Sequence, residues 1–295
     1  MSDEHKHKVL FVASEEIPGF SGTACWSAEV IGDLASYFDL DVLSVKGEEQ
    51  SHIERFRGSR LLRVPVSDSS YLERISAFQR ALNRQLDSED YHVCHYTSIW
   101  EGMILTGQKK ARGYKLVYQV HSLPSLDFRT THPEDTRLVE TSYSLKQMED
   151  RCFSMADKLL AASPLMRGYL IRRGVPAKKI ELITPAVNTD DFPAMAPSPA
   201  QKNTVAYLGN LLPWQGVTSL LHAIKELPRH MRVRLLLLSP RVNPWYNEVL
   251  GKIQMLGISR SVELIEPVSF ENLSAVLHRA RICVAPLANH CLLYT

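Results

Sequence analysis

The 295 residues are enough for two domains of ordinary size, and the composition, 45% hydrophobic and 22% charged, is that of a globular protein. A net charge of +2 supplies no field that would draw the chain to nucleic acid, and no apolar run approaches the roughly 18 residues of a membrane span. The five cysteines are scattered without a Cys-x-x-Cys pair, which argues against a structural zinc site or a disulfide framework. The polar opening MSDEHKHK has no apolar signal core, so the expected location is cytoplasmic.

In chain order, Lys8–Ser14 reads as a short buried strand. Glycines at 19 and 22 follow, then an amphipathic helix with Trp26, Val30, Ile31, Leu34 and Phe38 inward. Further strands are predicted at Asp41–Val45, Leu61–Val64, His92–Tyr96, Lys115–His121 and Lys158–Ala162, with helical patterns between them. One helix covers Tyr71–Leu86, with Tyr71, Ile75, Phe78 and Leu82 on one face. Ser122–Pro133 reads as a long polar loop of the kind that closes over substrates. Ser163 is placed to cap a helix that has Pro164 at its first position and Gly174 at its close. Strands alternating with helices imply a mostly parallel sheet covered on both faces.

Pro185–Asn203, with four prolines among small polar residues, reads as an interdomain connection. The expected division is a domain over residues 1–185, a linker over 186–203 and a second domain over 204–295. In the second domain, strands are predicted near Thr204–Leu208, Val233–Leu238, Val262–Ile265 and Ile282–Ala285, and helices near Val217–Leu227, Trp245–Leu256 and Glu271–Arg279. Thr204–Ala223 says most. An apolar strand turns at Gly209-Asn210, passes a polar tip at Trp214-Gln215-Gly216 and enters a helix whose Val217, Leu220, Leu221 and Ile224 share a face. A strand, a glycine turn and a helix N-terminus make a seat for an anion, because free N–H groups and the helix dipole point at it.

Five segments in order resemble the retaining glycosyltransferases of the GT-B fold, in the family-4-like group: IPGFSGTACWSAEVIGDLA, YQVHS, the stretch from Ala156 to Phe192, YLGNLLPWQGVTSLLHAI, and VELIEPVSFENLSAVLHRARICVAPL. The resemblance runs from Val9 to Leu287 and implies two Rossmann-like domains. It implies transfer of a hexosyl unit from a nucleotide-diphosphate sugar, as donor substrate, to a hydroxyl of a glycan or lipid-linked acceptor. Neither a metal nor a cofactor is implied. His121 would lie beside the transferred sugar as the candidate catalytic residue. Gly22, Thr23, Gly209, Asn210, Gln215, Ser239 and the Pro267-Val268 turn would hold the donor, with Ser98 and Ser122 on the acceptor side. Many relatives carry Arg and Lys where this chain has Asn210 and Gln215, which leaves backbone amides and the helix dipole to hold the diphosphate. The family's paired glutamates follow the strand that here ends at Pro286-Leu287, and only eight residues remain, so the second domain is expected to be incomplete.

Other readings stand beside this one. His95 reads as a core histidine in a strand. Glu101, Asp127 and Glu140 read as solvated surface carboxylates. The arginines of Tyr71–Leu86 read as a solvated face, with peripheral contact to an anionic membrane as the alternative; the basic cluster Lys109, Lys110, Arg112, Lys115 has the same status. A truncated, non-catalytic protein that binds a nucleotide sugar or a partner is the alternative function. A dinucleotide-dependent oxidoreductase is disfavoured, because no G-x-G-x-x-G follows the first strand.

Overall fold

A computed structural model describes residues 6–287 apart from residues 20, 49, 67–69, 133, 194–200, 241–244, 267 and 269. The chain forms two compact units, the first ending at Val187 and the second beginning at Asn188.

The first unit is a sheet of eight strands: β1 (Lys8–Glu16), β2 (Asp39–Val45), β3 (Ile53–Phe56), β4 (Ser59–Val64), β5 (Val93–Tyr96), β6 (Lys115–Val120), β7 (Lys158–Ala161) and β8 (Ile180–Leu182). Their spatial order is β3-β4-β2-β1-β5-β6-β7-β8, parallel except for the edge strand β3. Helices α1 (Gly22–Tyr37), α2 (Tyr71–Ser88), α3 (Ile99–Arg112), α4 (Pro124–Thr131), α5 (Leu138–Met155) and α6 (Pro164–Arg172) connect them. A large apolar cluster containing Leu10, Val12, Tyr96, Tyr118 and Phe153 covers one face. A second, containing Phe11, Ile31, Val42 and Leu61, covers the other. Parallel strands buried on both faces are continuously apolar, which is why KVLFVAS could be read as it was. The order reverses at β1, which lies between β2 and β5, and the carboxyl ends of strands at such a point form a natural crevice.

The second unit has four parallel strands in the order β11-β10-β9-β12: β9 (Thr204–Leu208), β10 (Arg234–Leu238), β11 (Val262–Ile265) and β12 (Ile282–Cys283). Its helices are α7 (Val217–Glu226), α8 (Tyr246–Met255) and α9 (Phe270–Leu277). The four predicted apolar positions of α7 are its four buried residues. They pack with Leu235, Leu237, Val249 and Ile253 on one face, while Leu236, Leu238 and Ala206 meet α9 on the other. Here too the order reverses at the first strand, β9. Among the described residues, no helix is long and apolar enough to cross a membrane.

Some expectations need correction. Ser122–Pro133 is not a loop: Pro124 opens α4, because a proline lacks an N–H that the first helical turn would leave unused anyway. In α2 the buried face is Phe78, Leu82 and Leu86, while Tyr71 at the helix start is 64% exposed. Arg74, Arg80 and Arg84 of that helix are exposed. Three cations of the basic cluster are tied locally, Lys109 and Lys115 to Asp157 at 2.7 and 3.9 Å and Arg112 to Asp87. The cap of α6 is as expected: Ser163 accepts from the Met166 N–H at 3.0 Å, and Gly174 takes a left-handed φ of +86°.

Candidate functional site

In the first unit the site is built at the carboxyl ends of β1, β5 and β6. β1 and β2 pair in register from Lys8–Asp39 to Val12–Leu43 and resume only at Glu16–Val45. Residues 13–15 therefore oppose Ser44 alone, and such a bulge re-aims the side chains it carries. It directs Glu15 to the start of α1. There Glu15 Oε2 accepts from the Thr23 hydroxyl at 2.7 Å and the Ser21 hydroxyl at 2.8 Å, and Oε1 accepts from Ser27 at 3.5 Å. Ser21 also caps the helix, accepting from the Ala24 N–H at 2.9 Å. Burial pushes the Glu15 carboxyl up and the three hydroxyls pull it back. The seat that the sequence offered at Gly22–Thr23 thus already holds a carboxylate of the protein. Gly22 is exposed with open space where a Cβ would stand; at Gly19 a Cβ would lie 2.4 Å from the Glu16 carbonyl.

At the end of β5, Ser98 caps α3 by accepting from the Trp100 N–H at 3.2 Å and donates its own proton to Glu101. Glu101 also accepts from the Ser14 N–H at 2.6 Å and is completely buried. This is a correction: Glu101 is an internal brace between β1 and α3 rather than a surface acid. Burial raises its pKa. His95 lies in the core as read, its Nε2 at 2.8 Å from Gln119 Oε1, and burial lowers its pKa to about 4.

At the end of β6, the His121 ring meets Trp26 of α1 edge-on, with centroids 4.9 Å apart. Its Nε2 is shut off from solvent and has no hydrogen-bond partner among the described residues. Burial alone lowers its pKa to about 4, so the imidazole is neutral at pH 7. Ser122 donates to Asp127 of α4, whose carboxyl burial pushes up to about 6. Asp127 is therefore a partly buried acid beside the strand end, again not a solvated one, while Glu140 is exposed as expected. Beneath it, the fully buried Glu149 of α5 accepts from both the N–H (2.8 Å) and the hydroxyl (2.9 Å) of Ser125 and from Arg173 at 3.0 Å.

In the second unit, β9 ends at Gly209, whose N–H donates to the Leu238 carbonyl at 3.1 Å. A Cβ on Gly209 would stand 2.9 Å from the Tyr207 hydroxyl, which donates to the Asn210 carbonyl. The Asn210 side chain is exposed and Gln215 is half-buried. Gly216, at a left-handed φ of +71°, precedes α7, and no side chain caps that helix. A Cβ there would lie 1.8 Å from the Pro286 carbonyl, so only glycine fits. Ser239, at the end of β10, is 3% exposed and its hydroxyl has no partner among the described residues. Val268 is half-buried beyond the end of β11; Pro267 lies outside the described residues. An uncapped helix start can bind an anion through its N–H groups and dipole alone. Among the described residues, no group of three or more His, Cys, Asp or Glu could hold a metal ion.

The sequence-predicted residues fall into two sets. Gly22, Thr23, Ser98, His121 and Ser122 lie at strand ends of the first unit, and Gly209, Asn210, Gln215, Ser239 and Val268 at strand ends of the second. Glu15 was missed. Its signal was present in Thr23 and Ser27, one helical turn apart and following an acid that ends a strand.

Residues 31–191, more than half of the chain, match the family described as Glycosyltransferase Family 4. The chain belongs to that family. Solved structures show the same two-unit Rossmann-like GT-B fold. Sucrose-phosphate synthase of Thermosynechococcus elongatus has a TM-score of 0.76 at 18% identity, covering 96% of this chain and 76% of that one. The catalytic domain of Arabidopsis thaliana starch synthase IV, bound to ADP and acarbose, has a TM-score of 0.69 at 13% identity, covering 96% and 78%. Anabaena HepE, in complex with UDP and glucose, has a TM-score of 0.64 at 15% identity, covering 90% and 70%. No curated protein matches the glycosyltransferase sequence.

Proposed function

We propose that this glycosyltransferase moves a hexosyl unit, with retention of configuration, from a nucleotide-diphosphate sugar to a hydroxyl of a glycan or lipid-linked acceptor. The observation that carries the reading is the start of α7, where backbone N–H groups lack a side-chain cap; at the end of the adjoining β10 the buried Ser239 hydroxyl has no partner among the described residues. We assign the diphosphate to this seat, with Gly209, Asn210 and Gln215 around it and the base against Val268. Negative charge developing on the leaving diphosphate is met by preorganised dipoles, which lose little to reorganisation. No metal enters the assignment.

We assign the hydroxyl-bearing parts of the reactants to the first unit. The neutral His121 imidazole stands beside the transferred sugar, and Ser122 and Ser98 stand on the acceptor side. Gly22 and Thr23 approach the donor through backbone and hydroxyl, because Glu15 makes the start of α1 unfavourable for a phosphate dianion. That HepE was solved with UDP and starch synthase IV with ADP supports a nucleotide diphosphate as the common element.

The test is calorimetric titration of the full chain with UDP, ADP and GDP, followed by turnover of the matching glucose donors with oligosaccharide acceptors. Binding of one nucleotide with release of its diphosphate on transfer is expected. Failure of all three nucleotides to bind would overturn the reading. Binding without turnover would favour a nucleotide-sugar-binding protein without catalysis.

A further inference from the structure

At the amino ends of β10 and β11, away from Gly209 and Ser239, the second unit has a cavity of about 470 Å³. Its lining includes Lys225, Arg232 and Arg260, apolar ground from Ile224, Val233 and Ile258, and no carboxylate. Among the described residues, no hydrogen bond or ion pair engages those three cationic side chains, whereas the neighbouring Arg234 is held by Glu263 at 2.7 Å.

A simple account would have the cations complement helix ends. It covers Lys225, in the last turn of α7. It does not reach Arg232 or Arg260, which lie beyond α7 and α8, because the influence of a helix dipole fades within a turn. Arg232 is moreover held at a φ of +47°, a backbone that side-chain-bearing residues rarely adopt and that clusters at ligand sites. Arg234 also lines the cavity, with its charge met by Glu263, whereas Lys225, Arg232 and Arg260 are exposed around it; like charges about one cavity repel one another, and a multivalent anion relieves that repulsion.

We propose that this cavity binds a small phosphorylated molecule, its phosphate on Lys225, Arg232 and Arg260 and its remaining part on Ile224, Val233 and Ile258. The site is separate from the donor seat and does not rest on the donor assignment.

The experiment footprints the full chain with phenylglyoxal and reads Arg232 and Arg260 by peptide mass spectrometry, with and without inorganic pyrophosphate. Slower labelling of both arginines, with Arg281 unchanged, is expected. In the Arg232→Gln, Arg260→Gln variant, the pyrophosphate affinity of this site is expected to fall about 25-fold, about five-fold for each lost contact charge. That loss is read from protection of Lys225 against acetylation. A thermal melt unchanged by the two substitutions shows that the fold is intact. Unprotected arginines would overturn the proposal, as would protection that survives in the variant. Protection by phosphatidic acid vesicles but not by pyrophosphate would overturn the small-molecule assignment in favour of a lipid headgroup.

Discussion

The helices α1 and α7 follow the first strand of their respective units, and each starts where the strand order reverses, yet the two starts are built in opposite ways. The start of α1 is filled from within: Ser21 caps it, and Glu15 lies on the Ser21, Thr23 and Ser27 hydroxyls. The start of α7 has glycine at the cap position and no side-chain cap, and the Ser239 hydroxyl at the end of β10 has no partner among the described residues. Topology makes both places eligible for an anion. Local side chains decide that the first is satisfied by the protein and the second is left for a ligand.

The largest way to break this contrast is Gly216→Ala. Its Cβ would meet the Pro286 carbonyl at 1.8 Å in a left-handed backbone, so a cost of at least about 1–3 kcal/mol is expected, with loss of nucleotide binding, read by thermal melt and calorimetry. Glu15→Gln sharpens the contrast from the other side. It weakens a hydroxyl cluster, at about 1–2 kcal/mol of stability, but nucleotide affinity should not rise. A marked gain in affinity would mean that α1 is the diphosphate seat after all. Ser239→Ala should lower nucleotide affinity about ten-fold, roughly the 1.4 kcal/mol of one hydrogen bond to a charged group. It should leave the melt of the unliganded chain unchanged or raised, because it removes a buried hydroxyl without a partner.

A separate effect is in pH. His95 and His121 titrate near pH 4 in the folded chain against 6.5 ordinarily, so the unfolded chain takes up their protons first. Their contribution to stability is complete above about pH 6.5 and is lost as pH falls toward 4. The raised Glu15, Glu101 and Asp127 carboxyls act in the opposite sense, so the test compares wild type with His95→Gln, whose melting temperature should fall less steeply over that range. Direct NMR titration of His121 should give a value near 4; titration near 6.5 would mean that the ring stands in water.

The central parallel strands were legible because burial on both faces leaves uninterrupted apolar runs, and α7 because its four buried positions keep helical spacing. β3 and β8 were not. They are short, lie at the sheet edges, and carry mixed segments such as IERF whose strand character comes from pairing. The site was half legible. Glycines, a strand-end histidine and a helix start can be read in one dimension. The role of Glu15 against Glu16 cannot, since the bulge between Val12 and Glu16 decides which of two adjacent acids turns inward. Glu101 was obscured in the same way, by a first-turn position that usually faces water.

The Glu149 junction has a consequence for mechanics. One buried carboxylate joins the first turn of α4, the middle of α5 and the end of α6, through Ser125 and Arg173. A segment fastened at its root cannot swing away as a flap. Any breathing of α4 must therefore begin at its far end, near His132, and the Ser125 amide should be among the last in that helix to exchange its hydrogen with solvent.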